Sequence, residues 1–311
     1  MSPRSAIRIV LLASLLLCLP TLAHSAESPA DQSGSDIRIQ SVEPEEAVVP
    51  CSPWLFAPIG VFDEQYRLPV VSNDSPDNLC TGSDDWSTDT PGLLFDDLPP
   101  GQPIDPSYEE TCNLCDQFDR AQDTGDYTSL DPAIRLYLDQ VAQMKPLAYA
   151  LGISGTTVDD LYQTWFGPAQ GFQHAICGEK DKANLNNTGG YHFWYRFYQE
   201  ERRQGDGHVN FRCAIEGEKD PGVATIRFDW NPLGNDDYRQ KPIGGFTTGN
   251  SVAAMLALGH LARVSGCDVS EGGNDLVADI NGHAYEWVLV LKDNSLLSLY
   301  PKALDHTLPR E

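Results

Sequence analysis

The chain has 311 residues, with 45 Asp and Glu against 21 Lys and Arg, for a formal net charge of −24. So acidic a chain is excluded as a general binder of polyanions, because phosphate affinity comes largely from Lys and Arg. The imbalance is uneven: residues 1–140 hold 6 basic and 24 acidic residues (−18), and residues 141–311 hold 15 and 21 (−6). Any polyanion contact is therefore expected to be weak and local, through a small cluster that includes Lys180, Lys182, Arg196, Arg202, Arg203 and Lys241.

Residues 1–25 read as a cleavable secretory signal. Arg4 and Arg8 precede an apolar run over 9–19, and Ala23-His24-Ser25 supplies small residues around a cleavage point. The run is too short to span a bilayer. Cys18 lies in a leucine run without the small residues of a lipobox. The expectation is a secreted or periplasmic protein with no stable membrane association after cleavage. Cys51, Cys80, Cys112, Cys115, Cys177, Cys213 and Cys267 then remain. Export favours disulfides, and the odd number leaves one cysteine free or paired between chains. For Cys112-x-x-Cys115 a structural disulfide is favoured over a redox or zinc half-site, since no second pair lies nearby. Cys177 reads as a small buried residue.

Residues 26–50 are polar and acidic and read as a flexible linker. Residues 51–110, within a segment taken as 51–128, are dense in Pro, Asp, Ser and Gly, with scattered Trp54, Phe56, Phe62, Trp86 and Phe95. This pattern predicts an irregular, disulfide-pinned N-terminal extension, followed by a catalytic domain over 129–311. A helix is expected from Asp131 as N-cap and Pro132 in the first turn, with Ile134, Leu136, Leu138, Val141 and Met144 apolar and Gly152 as the stop. A second helix follows Thr157, with Leu161 and Trp165 on one side. A third follows Gly190 and takes His192 into its first turn, where the helix dipole disfavours imidazolium. Phe193, Trp194, Phe197 and Tyr198 of that helix read as core. Residues 209–215 and 223–230 alternate as strands, and 231–240 form a polar loop delivering Lys241. Asn250 or Ser251 caps a helix running to residue 264. Residues 284–291 and 296–300 form a hairpin about Asp293-Asn294. Uneven alternation of helices and strands argues α+β.

The chemistry centres on His174 and His192. Two histidines in one cleft supply a general base and a general acid near neutral pH. Lys241, in Lys241-Pro242-Ile243-Gly244, supplies a cation for a developing phosphorane charge. Cleavage of RNA through its 2′-hydroxyl requires such a set: a base for the 2′-OH, an acid for the departing 5′-oxygen and a charge stabiliser. His208, His260, His283 and His306 lack comparable flanks and default to structural or surface roles. A zinc site from His174, Glu179 and His192 is a weaker alternative, because no His-Glu-x-x-His or paired-cysteine spacing supports it.

At three stretches the chain resembles the EndoU family of uridylate-preferring endoribonucleases, which includes XendoU-type animal enzymes and the coronaviral endoribonuclease. Phe172, His174, Gly178 and Glu179 match the first element. Gly190, His192, Trp194, Arg196, Phe197, Tyr198 and Glu200 match the second, and Lys241, Pro242, Ile243 and Gly244 the third. Gly249-Asn250-Ser251 and Tyr300-Pro301 follow in the family's order, so the resemblance covers roughly residues 130–305. Gln173 stands where the family has Glu, and Gly245 and Asn250 stand where it has Ser and Thr. The resemblance implies N-terminal helices followed by two antiparallel-sheet lobes flanking a catalytic cleft. It implies an endoribonuclease that cleaves single-stranded RNA at uridines to 2′,3′-cyclic phosphate and 5′-hydroxyl ends. DNA is not expected as a substrate. His192 is the implied base, His174 the acid and Lys241 the charge stabiliser, with Ser251, Tyr300 and Arg196 contacting substrate. Glu179 either orients a histidine or binds a divalent ion. No cofactor is expected to be required, with Mn²⁺ the candidate ion. The alternatives are a non-catalytic envelope binding module on the same fold and a toxin-type nuclease.

Overall fold

The computed structural model describes residues 53–70, 80, 93–203, 209–215, 222–233, 238–267, 276–280 and 283–301. The signal segment, the acidic linker, Cys18, Cys51, Trp86, His208 and His306 lie outside the described residues. Helices precede antiparallel strands: α1 (Pro53–Asp63), α2 (Pro106–Thr124), α3 (Leu130–Val141), α4 (Lys145–Ser154), α5 (Val158–Phe166), a π-helix (Phe172–Cys177), α6 (Trp194–Glu200) and α7 (Val252–Val264). The strands are β1 (Glu179–Lys180), β2 (Thr188–Gly189), β3 (Val209–Ala214), β4 (Val223–Trp230), β5 (Arg239–Thr247), β6 (Leu276–Ile280), β7 (His283–Lys292) and β8 (Ser295–Pro301). They form a β1–β2 pair and two three-stranded antiparallel sheets, β3–β4–β5 and β6–β7–β8. The fold is α+β, as expected.

Helix α7 is the helical hub. All but its last two residues are buried, and α1, α4, α5 and β8 pack around it. Ser251 caps it by accepting the Ala254 N–H at 3.1 Å. Trp165 of α5 lies against it and donates its indole N–H to the Leu256 carbonyl at 3.0 Å. His260 is buried between the hydroxyls of Thr156 (2.7 Å) and Thr164 (2.8 Å), and burial lowers its pKa to about 4. It has the structural role expected of it. A second aromatic core surrounds α6, where Phe95, Trp194, Phe197, Phe228 and Phe246 pack edge to face or tilted. The aromatics of α6 are thus core, as the sequence suggested.

Three expectations are corrected. The segment 51–128 is not irregular throughout. It contains α1 and the 19-residue α2, whose Asp105 cap, Pro106 and left-handed Gly125 form a regular helix start and stop. The single helix expected over 131–152 is two. Pro146 cannot donate to residue 142, and the chain turns extended at Met144 before α4 begins. Ser129 precedes α3 in place of Asp131, Gly152 lies inside α4, and Gly155 (φ +65°) is the stop. Leu136 faces solvent, 62% exposed, while Ile134, Leu138 and Val141 are buried. Cys112 and Cys115 do not pair. Cys115 bonds Cys177 and Cys80 bonds Cys213, while Cys112 stays a free, buried thiol. Both members of the Cys-x-x-Cys stand in the regular middle of α2, and Cys115 is directed at the π-helix instead. Cys177 is buried, as read, but as a half-cystine. Cys267 is also disulfide-bonded.

One glycine tests the packing of the hub. A Cβ on Gly259 would lie 2.5 Å from the Trp165 ring and 2.8 Å from Leu296. Alanine gains about 1 kcal/mol of helix propensity, but overpacking a rigid core costs about 1–3 kcal/mol. Gly259→Ala is expected to lower the melting temperature by several degrees. Calorimetry would show an unchanged or raised value if propensity won.

Candidate functional site

The π-helix gives the first half of the site. It carries His174, and Gly178 (φ +80°) turns the chain back into β1. Such wide turns are rare and cluster at functional positions. Glu179 of β1 pairs across to Gly189 of β2, and its carboxylate returns to His174. The acceptor fixes the tautomer: Nδ1–H of His174 donates to Glu179 Oε1 at 3.0 Å. The partly exposed ring therefore presents Nε2. Cys115–Cys177 anchors the end of the π-helix to α2.

The second half runs directly against the first. The Tyr191 N–H donates to the His174 carbonyl at 2.9 Å, and the His192 N–H donates to the Ala175 carbonyl at 2.7 Å. Gly190 has φ +62°, and a Cβ there would stand 1.6 Å from the His174 oxygen, so only glycine fits. Tyr191 follows with φ +70°, a conformation costing about 1–2 kcal/mol for a residue with a side chain. Its buried ring lies 5.2 Å from both Phe228 and Trp230, and its hydroxyl donates to Glu200 at 2.8 Å. This packing holds the strained backbone.

His192 is not in a helix turn, contrary to expectation. Residues 190–193 are non-helical, Phe193 is the N-cap and α6 starts at Trp194. The helix dipole is not what acts on the ring. Burial, and after it the Lys241 ammonium and His174, push the His192 pKa well below 6.5, while its hydrogen bond to Gly245 opposes them. Nδ1–H donates to the Gly245 carbonyl at 2.7 Å, which leaves Nε2 with a lone pair. Tyr300 stacks on the ring, with centroids 5.1 Å apart and 27° between planes.

Lys241 also departs from expectation. It is not at the end of a loop but the third residue of β5, opposite Phe228 of β4. Nζ donates to the Thr188 carbonyl at 3.3 Å, and burial lowers its pKa to about 8 against a smaller opposing pull from Asp181. Two glycines complete the packing. A Cβ on Gly189 would lie 3.3 Å from the His174 ring, and one on Gly244 would lie 3.2 Å from Lys241. The structure thus brings His174, His192 and Lys241 to one place around β2. It pairs one histidine with a carboxylate and sets the other, neutral, beside a cation.

No family model matches the chain. It is 29% identical to the human (Homo sapiens) uridylate-specific endoribonuclease over 209 residues, covering 58% of this chain and 47% of that protein. The Bos taurus uridylate-specific endoribonuclease is 28% identical over 210 residues. The chain thus spans about half the length of these relatives, 47% in each case. Among solved structures it is similar to XendoU, a splicing independent snoRNA processing endoribonuclease, with a TM-score of 0.56, 16% identity, and coverage of 81% of this chain and 97% of that one. The chain is thus similar in sequence to uridylate-specific endoribonucleases and shares the fold of XendoU.

Two of the three candidate substrate residues are buried and engaged inside the protein. Arg196 is 1% exposed and bonds Asp119 (2.5 Å) and Glu200 (2.7 Å), so its guanidinium is a core cation and not an RNA contact. Ser251 is fully buried, and its hydroxyl donates to Asp63 while capping α7. Tyr300 alone of the three candidates touches the site. The expected basic cluster is also smaller, because Arg202 pairs with Asp97 and Glu201, and Arg203 with Asp116.

Both candidate sets of carboxylates already have partners within the protein. Glu179 is engaged by His174. Among the described residues, Asp116, Asp119 and Glu200 are close enough to share an ion, but Arg196 and Arg203 already supply their positive charge. Gln173, in the position of the family's Glu, is buried and carries no charge.

Sequence reasoning missed the carbonyls of Gly245 and Thr188, since a backbone acceptor leaves no residue-type signal. It also missed Asp63, a buried carboxyl raised to about 6 by desolvation, which pairs with the α7 cap.

The buried ammonium gives a direct test. An NMR titration of the Lys241 side chain should show a midpoint near pH 8. A midpoint above about 10, the ordinary lysine range, would mean that Nζ is solvated.

Proposed function

We propose that this chain is an exported endoribonuclease that cleaves single-stranded RNA at uridines, with the 2′-hydroxyl as nucleophile. The observation that carries the reading is the opposed setting of the two histidines. His192 is buried beside Lys241 with its Nδ1–H held by Gly245, so its free Nε2 accepts the 2′-OH proton. His174 has the Glu179 carboxylate behind it, a counter-charge for the imidazolium that delivers a proton to the departing 5′-oxygen. Lys241 stabilises the charge gathering on phosphorus in a site shielded from water. The 2′-oxygen bonds to phosphorus as the 5′-oxygen leaves, giving a 2′,3′-cyclic phosphate and a 5′-hydroxyl. Tyr300, stacked on His192, is the residue to meet the ribose or uracil. The names of the human and bovine relatives support uridine as the preferred base. Described disulfides support an oxidising compartment, hence the secreted or periplasmic setting.

Mass analysis of products from a short RNA with one uridine tests the reading. Cleavage 3′ of that uridine, leaving a cyclic phosphate, is expected; intact RNA would favour a binding module on the same fold. Lys241→Ala is expected to retain the fold and lose roughly a hundredfold in turnover, the cost of one electrostatic stabiliser.

The pH profile has a stated sign. The depressed pKa of His192 keeps the base neutral until pH falls well below 6.5, so the acid limb lies low. Lys241 loses its charge as pH rises through about 8, which contributes to the alkaline limb. In Lys241→Arg, if active, that limb should move up.

Removing His174 should cost less than removing His192 on an aryl phosphodiester of uridine 3′-phosphate, whose leaving group needs no proton. Equal losses would reverse or void the roles. With its carboxylates engaged, the chain should keep most activity in chelator. Complete loss restored only by Mn²⁺ would show that these carboxylates bind metal after all.

A further inference from the structure

Behind the π-helix, α2, α3 and α5 leave a cavity of about 130 Å³, on the side formed by Phe118, Tyr127, Tyr162, Trp165 and Phe166. Half of its lining residues are aromatic, and its size is close to that of an apolar cavity of about 150 Å³ that admits one benzene. One planar six-membered ring therefore fills it. The cavity is not wholly apolar. Gln173 and Gln170 line it together with Asp131. Gln173 is 1% exposed, and its Oε1 has no hydrogen-bond partner among the described residues. Its Nε2 makes only a long bond, 3.4 Å, to the Tyr127 hydroxyl. A buried, unanswered carbonyl is destabilising, so natural proteins seldom keep one without a partner. Beside it, Gln170 has φ +56°, outside the range most side chains favour, and its carbonyl receives the His174 N–H at 3.0 Å. Strain of this kind gathers at binding and switching positions.

We propose that this cavity is a second binding site, for a single six-membered heteroaromatic ring that carries N–H donors, namely a pyrimidine base. The aromatic walls select a planar ring, the volume seats one six-membered ring, and the unanswered oxygen of Gln173 selects a donor edge. Gln173 is the residue before His174, so an occupied cavity braces the π-helix from behind. The choice of a pyrimidine among such rings rests on the proposed RNA substrate. The site itself does not, and it is tested without cleavage. The base comes either from the bound strand or from a free nucleoside.

The test is an NMR titration read at the Trp165 indole N–H, assigned by its loss in Trp165→Phe. The protein is the full chain carrying Lys241→Ala so that RNA survives. Uracil and uridine are expected to shift this signal saturably, with half-saturation on the order of 1 mM for so few atoms. A short oligouridylate shifting it at lower concentration identifies the strand as the source, whereas response to uridine alone identifies the free nucleoside. Benzene should shift it less than uracil, because it answers no acceptor. Ile134→Phe, which extends a wall residue into the space, should abolish the uracil response. No shift with any pyrimidine in the unfilled protein overturns the proposal, whether or not the filled variant folds. Benzene matching uracil, or an undiminished response in a folded Ile134→Phe chain, overturns it as well.

Discussion

Arg196 is buried to 1% exposure in a core where an unpaired guanidinium would be untenable, and the architecture of the site follows from how its charge is met. Asp119 of α2 and Glu200 of α6 bond it directly. Glu200 in turn receives the Tyr191 hydroxyl and the Trp230 indole N–H, each at 2.8 Å. One cation thus ties together a helix from the N-terminal segment, the helix after the second histidine, a strand of the β3–β5 sheet and the strained tyrosine beside His192. Desolvation raises Asp119 to about 7 despite the arginine, a measure of how dry the centre is. Removing one partner of a buried pair of this kind costs about 3–5 kcal/mol, because the other charge is stranded. The network is therefore a fixed point of the fold and not a surface for polyanions.

The site is built outward from this point in two layers. Tyr191 fixes the backbone that bears His192, and the backbone hydrogen bonds from 191 and 192 carry that position to the π-helix and His174. The cross-link at Cys177 secures the far end of the same helix to α2. Lys241 arrives separately on β5, a strand whose alignment depends on pairing with β4. Each candidate group is thus held by ordered backbone, and its electrostatics come from burial as much as from neighbours. That is the physical content of preorganisation: the polar groups need little rearrangement once the site is dry.

Much of this was legible in the sequence. The histidine pair, the lysine, the β7–β8 hairpin turn, the capped helix at Ser251 and the α5 capping at Thr157 all rest on local residue types, and local chemistry decided them. The failures share a cause. The role of Arg196 depends on Asp119, 77 residues away, and that of Ser251 on Asp63, 188 residues away. Such partners leave no trace in spacing. Cys115 likewise pairs over 62 residues with Cys177, ignoring the nearer Cys112 that its motif advertised. Segment 106–124 was unread because its mean polarity hid an amphipathic helix whose buried face includes Tyr108, Cys115, Phe118 and Asp119. His192 was assigned to a helix on its flanks, but the left-handed residues at 190 and 191 postpone the helix start until 194.

The absent side chain at Gly190 has a consequence for how such a chain can drift. Because the two histidine-bearing segments meet backbone to backbone, the spacing between them is set by amide geometry, the one part of a protein that substitution does not alter. Side chains around them are free to change so long as position 190 stays bare and the amides of 191 and 192 keep their carbonyls. In this architecture the smallest residue is the one that mutation can least replace.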